Sequence, residues 1–350
     1  MIRKHAAKPK QNLSALKVGI VYIGAIVGGG FASGQEILQF FGYFGLFGVA
    51  GVLLTTFLLG FFASKVMLIA NRIGASSYKE VIDAVGGPWL GPLINAVITF
   101  FLFGILVAMV AGTGAIFEQE FGWPLFIGLS IMVGLAGATV LSGLSKVIDA
   151  ISFVVPFLLV AVLGVALYII LFVPFDLTWS SPQSASLPHW HMAGFAYVSY
   201  NLILAVPLLA PMGNLTDAHS LKKGAFIGAL GLGFCALIIL ITILAMGPEV
   251  TGFEIPMLVI AGRVSPIIRL IYTFVLVSEI YTTAISSLYG LVSRLVSGDS
   301  PWFKPITIVI VTASFFFGQL GFSNIVSTVY PAMGIVGFIF LGSLLMRPAF

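Results

Sequence analysis

From Gly45 to Ala70 the chain carries one charged side chain, Lys65, in a run of Leu, Val, Phe, Ala and Gly. About 20 apolar residues in a helix cross the hydrocarbon core of a bilayer. Inside lipid every backbone N–H and C=O must be satisfied within the protein, which restricts such runs to helices or a closed barrel. The pattern recurs along the 350 residues. It predicts ten spans, at about 16–41, 45–70, 89–117, 122–142, 148–172, 192–213, 224–246, 265–292, 305–320 and 324–346. Only 8% of residues are charged and 59% are hydrophobic, whereas a soluble domain carries about 25% charged residues. The expected fold class is therefore an all-α polytopic membrane protein, with the lipid bilayer as its main surroundings. Three connections are long enough to hold structure. They are the Ser-, Pro- and Trp-containing stretch 173–191, Gly247–Val264 with a short helix near Ile255–Gly262, and Asn71–Pro88 with an amphipathic piece near Ser77–Val85.

Charge distribution orients the spans. All sixteen Lys and Arg residues except Arg263 and Arg269 fall on one side of this topology. Short loops rich in Lys and Arg stay cytoplasmic. The expectation is a multi-pass protein of a bacterial plasma membrane with both termini cytoplasmic, which requires an even number of spans. This bias accounts for the net charge of +4, so no nucleic-acid partner is implied, and no obligatory protein partner is evident. Reading Val18–Val27 as a signal peptide fits less well, because cleavage after Ser33 would leave an odd number of spans. The single cysteine, Cys235, excludes an intrachain disulfide and a paired-cysteine metal site. His189 and His191 lie two apart without a third ligand. No HExxH, GxSxG or Walker A pattern occurs, so the chain is not expected to be an enzyme.

Within 16–41, Val27-Gly28-Gly29-Gly30-Phe31 breaks the apolar run. Each glycine costs a helix roughly 1 kcal/mol relative to alanine. Unwound backbone at membrane depth is tolerated only where protein buries it or where it lines a cavity. The Gly24–Gly28 spacing also fits small-residue helix packing, but packing does not account for the Gln35 and Glu36 that follow. The sixth run is interrupted as well, by Tyr197-Val198-Ser199-Tyr200-Asn201, Pro207 and Pro211. Interrupted spans at the first and sixth of ten suggest two five-helix halves of inverted topology, a pattern that points to a transporter binding site. The expected organisation is a basic tail at 1–15, a first repeat at 16–172, an external loop at 173–191 and a second repeat at 192–346.

Candidate site residues follow from polarity at membrane depth. Ionisable groups there are functional by default. Glu36 lies shortly after the glycines. Glu279, Thr282, Thr283 and Ser286 follow i, i+3, i+4, i+7 spacing and share one helix face. Their oxygens suit a hard cation such as Na⁺, and a buried carboxyl can equally carry a proton. Tyr197, Tyr200 and Asn201 surround the expected break in the sixth span, placed to bond and stack against a substrate.

Gly28-Gly29-Gly30-Phe31 resembles the glycine-rich motif of amino acid–polyamine–organocation transporters. The longer stretch from Gly24 to Glu36 is more closely similar to YkvI-type bacterial membrane proteins, as is Asn324–Pro331. The resemblance extends over essentially the whole chain and implies the five-plus-five, LeuT-like fold with broken helices 1 and 6. It implies a substrate carboxylate held by backbone amides of Gly28, Gly29 and Gly30, with Phe31 beside them. It further implies a sodium site from the carbonyls of Gly24 and Val27 and the hydroxyls of Thr282 and Thr283. Glu279 departs from the pattern, since the position three before those hydroxyls is usually small. Phe31 cannot supply a side-chain ligand to a second sodium. The lysine that some proton-coupled relatives place in mid-span five is missing near Val155, with Lys146 at the cytoplasmic end.

The function expected is a secondary active transporter of a small amino acid or related amine, coupled to Na⁺ or H⁺, with no cofactor beyond a coupling Na⁺. A ligand sensor built on the same fold is the alternative.

Overall fold

The computed structural model describes residues 13–75, 78–143, 157, 160–172, 178–296 and 300–346, without side-chain detail at 89 and 90. Most of the basic tail, Lys146, the register around Val155 and residues 173–177 lie outside the described residues. Every regular element among the described residues is helical. The apolar runs read from the sequence are occupied by α1 (Ala15–Ile26), α2 (Gly29–Ala32) and α3 (Gln35–Phe40), then α4 (Leu46–Ile73), α5 (Tyr78–Phe121), α6 (Leu125–Leu141) and α7 (Val160–Phe172). They continue with α8 (Trp190–Met212), α9 (Ala218–Met246), α12 (Pro266–Leu295), α13 (Phe303–Gly318) and α14 (Phe322–Met346). The short α10 (Pro248–Thr251) and α11 (Pro256–Val264) fill the connection before α12. Among the described residues, six stretches are long and apolar enough to cross a membrane: α4, Gly91–Phe121 of α5, α8, α9, α12 and α14.

Local signals set the helix boundaries. Ser14 caps α1 by accepting from Lys17 N–H at 3.3 Å, and Asp217 caps α9 by accepting from the His219 and Ser220 N–H groups. Ser265 does the same for α12, where Pro266 at the first position loses no helical bond. Within α5 the backbone turns at Gly87 (φ 63°, ψ −165°), a conformation open to glycine and strained for other residues. Of the amphipathic piece expected near Ser77–Val85, the part from Tyr78 on is a short arm joined by this kink to the long apolar part of α5, and Ser77 lies outside the described residues.

The bundle is packed through glycines. Helix α1 lies on α9. A Cβ added at Gly19 would stand 2.8 Å from Ile227 and 3.1 Å from the Gly224 oxygen, and one at Gly228 would meet Tyr22 at 2.6 Å. The close backbone approach therefore uses Gly19, Gly224 and Gly228. The Gly24–Gly28 spacing also fits such a contact, but nothing lies within 4 Å of a Cβ at Gly24. Helix α8 lies equally close on α14, where a Cβ at Gly334 would come 2.5 Å from the Ala196 oxygen. Large apolar side chains such as Phe47, Phe57, Phe100, Phe234 and Phe274 point outward and are more than half exposed. An apolar exterior over several helices is the inverse of a soluble protein's surface and suits lipid.

One expectation is corrected. The sixth apolar run was expected to break at Tyr197–Asn201 and at its prolines, but α8 is continuous from Trp190 to Met212 with Pro207 and Pro211 inside it. Prolines are tolerated in membrane helices when neighbouring groups and side chains take up the freed backbone bonds. The seam with α14 braces α8, and Asn201 uses its side-chain amide to donate to the Tyr197 carbonyl at 3.0 Å.

Candidate binding site at the break in the first span

The first span is interrupted twice. Helix α1 ends at Ile26, and Val27 (φ −66°, ψ 120°) and Gly28 (φ −146°, ψ −175°) are extended before α2 begins. Gly29 and Gly30 are helical, so the glycine run supplies one extended residue and one short turn. The chain then turns again at Gly34 in the left-handed region (φ 78°), which separates α2 from α3. Carbonyls freed by these turns are taken by the protein. Ser33 Oγ donates to the Gly30 oxygen at 2.7 Å, Tyr272 OH donates to the Ala32 oxygen at 2.6 Å, and the Met257 N–H of α11 donates to the Ser33 oxygen at 3.0 Å. Buried backbone is stable only when paired in this way.

Glycine is required here by proximity. A Cβ at Gly28 would sit 3.1 Å from Thr283 Oγ1, and one at Gly29 would collide with Ile280 at 2.4 Å. A Cβ at Gly30 would stand 1.9 Å from Glu36 Oε1. Glu36, on the first turn of α3, therefore folds its carboxylate back onto the Gly30 backbone. Its other oxygen accepts from Tyr200 OH at 2.5 Å. Phe40 and Tyr197 are 5.3 Å apart between ring centroids, and Tyr200 and Tyr330 are also 5.3 Å apart, so aromatic walls surround that carboxylate. Phe31 is buried and lines a narrow apolar crevice with Ile26, Phe41, Thr55, Leu59 and Tyr197.

On α12, Tyr272 reaches Ala32, Ile280 touches Gly29 and Thr283 touches Gly28. Glu279 shares that face by helical spacing. It is buried, and its Oε2 has no hydrogen-bond partner among the described residues. Thr282 Oγ1 donates to the Glu279 backbone oxygen at 2.9 Å. Of the sodium candidates, Val27 forms part of the break itself and Thr283 lies beside it at Gly28. Gly24 has open space beside it, and Val27 donates its N–H to the Ile23 oxygen at 2.8 Å.

Some lining residues carry no signal of their own in the sequence. Phe40 and Tyr330 read as ordinary apolar residues and reach Tyr200 only through the fold. Gln35 donates to Ser323 Oγ at 2.6 Å on α14, leaving its Oε1 buried without a partner. Above these turns α11 is held by Gln119, which donates to the Ile255 oxygen and accepts from the Ile255 N–H, both at 3.3 Å. Glu254, just before α11, accepts from the Ser323 N–H. Burial pushes its carboxyl up, opposed by that bond. His189 and His191 stack at 5.3 Å, and no group of three or more metal-ligating side chains occurs among the described residues.

Solved structures place this architecture. MhsT in complex with L-phenylalanine superposes with TM-score 0.62 at 18% identity, over 96% of this chain and 90% of that one. A manganese transporter of Eremococcus coleocola superposes with TM-score 0.60 at 13% identity, over 95% of this chain and 78% of that one. Both neighbours have the LeuT fold, and the chain is an all-helical membrane protein sharing that fold. No protein-family model matches the chain. The membrane protein YkvI of Bacillus subtilis (strain 168) is 32% identical over 345 residues, covering 96% of both chains. The chain belongs to the YkvI family.

Proposed function

We propose that the chain is a secondary active transporter of a small amino acid or related amine, working by alternating access across a bacterial plasma membrane. The observation that carries this reading is the extended backbone at Val27–Gly28, buried at Val27, half-buried at Gly28 and flanked by Glu36 and by the Glu279 face of α12. Interrupted helices at membrane depth serve substrate and ion binding in transporters. The neighbours, one crystallised with L-phenylalanine and one named for manganese transport, support a transport role for the fold. In this reading ten spans form two inverted repeats, with α1–α3 as the broken first helix. The continuous α8 is then a sixth helix that bends at Pro207 and Pro211 rather than unwinding.

Substrate meets Gly28, Gly29, Gly30, Phe31, Glu36, Tyr197 and Tyr200. The Asn201 amide is committed to its own helix and serves by shaping α8. Coupling is assigned to the α12 face. Na⁺ bound by the Gly24 and Val27 carbonyls with the Thr282 and Thr283 hydroxyls is one form, supported by the nearness of Thr283 to Gly28. A proton on Glu279 is the other, supported by its buried, unpartnered oxygen. Counterflow of labelled substrate in proteoliposomes tests the proposal. Exchange driven by trapped unlabelled substrate is expected, and binding without counterflow would favour the sensor reading. If Na⁺ couples, counterflow needs Na⁺ and Glu279→Gln keeps its pH profile. If the proton couples, that variant loses its pH dependence.

A further inference from the structure

The surroundings of Glu36 specify the charge of the ligand. The side chain is 94% buried by its 6% exposure, and no Lys, Arg or His nitrogen lies within 4.0 Å of it among the described residues. Around it stand ring faces and the Tyr200 hydroxyl that donates to it. The Tyr197 hydroxyl is buried and makes no hydrogen bond among the described residues. Phe40, Tyr197, Tyr200 and Tyr330 form a connected set of rings, each 5.3–5.5 Å from the next.

A buried carboxylate without a cation is costly, and the site is short of positive charge. An ammonium group supplies it, with N–H donors for Glu36 and a charge that ring faces attract. A ligand carboxylate meets the opposite situation. The Gly30 backbone, where the family resemblance would place it, is already covered by Glu36 Oε1, and like charges at contact repel.

We infer that the ligand is an organic amine, its cationic head held by Glu36 between Tyr197, Tyr200 and Tyr330, and that a carboxylate on the adjoining carbon weakens binding. This deepens the transporter reading and rests on its placement of the site.

Matched pairs test it directly on the purified full-length protein in detergent, by calorimetric titration and thermal unfolding. The pairs are phenethylamine against L-phenylalanine and putrescine against L-ornithine, with MnCl₂ alone as a third arm. In at least one pair the amine is expected to bind about tenfold or more tightly than its amino acid, because Glu36 repels the carboxylate that only the amino acid carries. Glu36→Gln, which keeps the shape and removes the charge, is expected to abolish that preference with little change in unliganded melting temperature. Equal or tighter binding of the amino acids, binding of Mn²⁺ but of no amine, no amine binding at millimolar concentration, or an intact preference in Glu36→Gln would each overturn the inference. Counterflow separates this from the transport reading. Amine binding without counterflow would remove transport and keep the amine site, whereas counterflow of amino acids but not amines would do the reverse.

Discussion

Two glycines show how differently the same substitution acts. At Gly30 the atom that a new methyl would strike is the tip of the Glu36 side chain, which can swing away. At Gly334 it is the Ala196 backbone oxygen, which cannot move without shifting α8. Gly30→Ala is therefore expected to weaken ligand binding about tenfold or more, since Glu36 is driven off its Tyr200 bond, and to cost about 1–3 kcal/mol of stability for the buried hydroxyl left unpaired. Gly334→Ala is expected to cost about 1–3 kcal/mol of stability through overpacking. Thermal unfolding with a binding titration on each variant checks both. A Gly30→Ala protein that binds normally would show that the Glu36 position over Gly30 is immaterial. At this scale the site was half legible. Glu36 and Glu279 stand out in sequence because carboxylates are rare in apolar runs. Tyr330 does not, because a tyrosine in a span is ordinary until α14 is known to lie against α8.

Helix α11 was legible as a short helix in the loop before α12, but its role depends on contacts distant in sequence. It crosses the Ser33–Gly34 turn, where a Cβ at Gly34 would meet Met257 at 2.8 Å. It is tied to α5 by the two Gln119 bonds. Met257 is fully buried under this packing, so labelling at its position requires α11 to lift. Two neutral hydrogen bonds are worth about 1 kcal/mol each, so losing both should raise the lifted population roughly thirtyfold. Gln119→Leu is expected to speed maleimide labelling of Met257→Cys, in a Cys235→Ala background, by about that factor. An unchanged labelling rate would mean that the Gln119 bonds do not hold α11 down. The α8 reading failed at this same scale. Proline and a polar cluster signal a break, yet α8 stays whole against the α14 seam, and that seam is not visible without the neighbour.

For the molecule as a whole, hydropathy and charge carried most of the information. The apolar runs located the helices to within a few residues where these are described, because lipid leaves a backbone few alternatives. The proposed orientation rests on the Lys and Arg bias of the sequence alone. The two basic residues expected outside, Arg263 and Arg269, each pair with a carboxylate, Glu249 and Glu120, which leaves that end little net positive charge. A reporter that is active only in the cytoplasm, fused after Phe350, is expected to be active, and one inserted at Gly252 silent; the reverse pattern would invert the proposed orientation.

The seam between α1 and α9 has a mechanical consequence. Gly19, Gly224 and Gly228 bring the two backbones into contact, and Thr216 Oγ1 moors the start of α1 by donating to the Leu13 oxygen at 2.9 Å. Fastened at its foot and along its length, α1 is one limb of a rigid lever whose other limb is α9. Its free joint is the extended pair Val27–Gly28, so any swing of that lever is delivered as torsion at the two residues beside Thr283 and the Glu279 face, where the cargo and its coupling ion are proposed to sit.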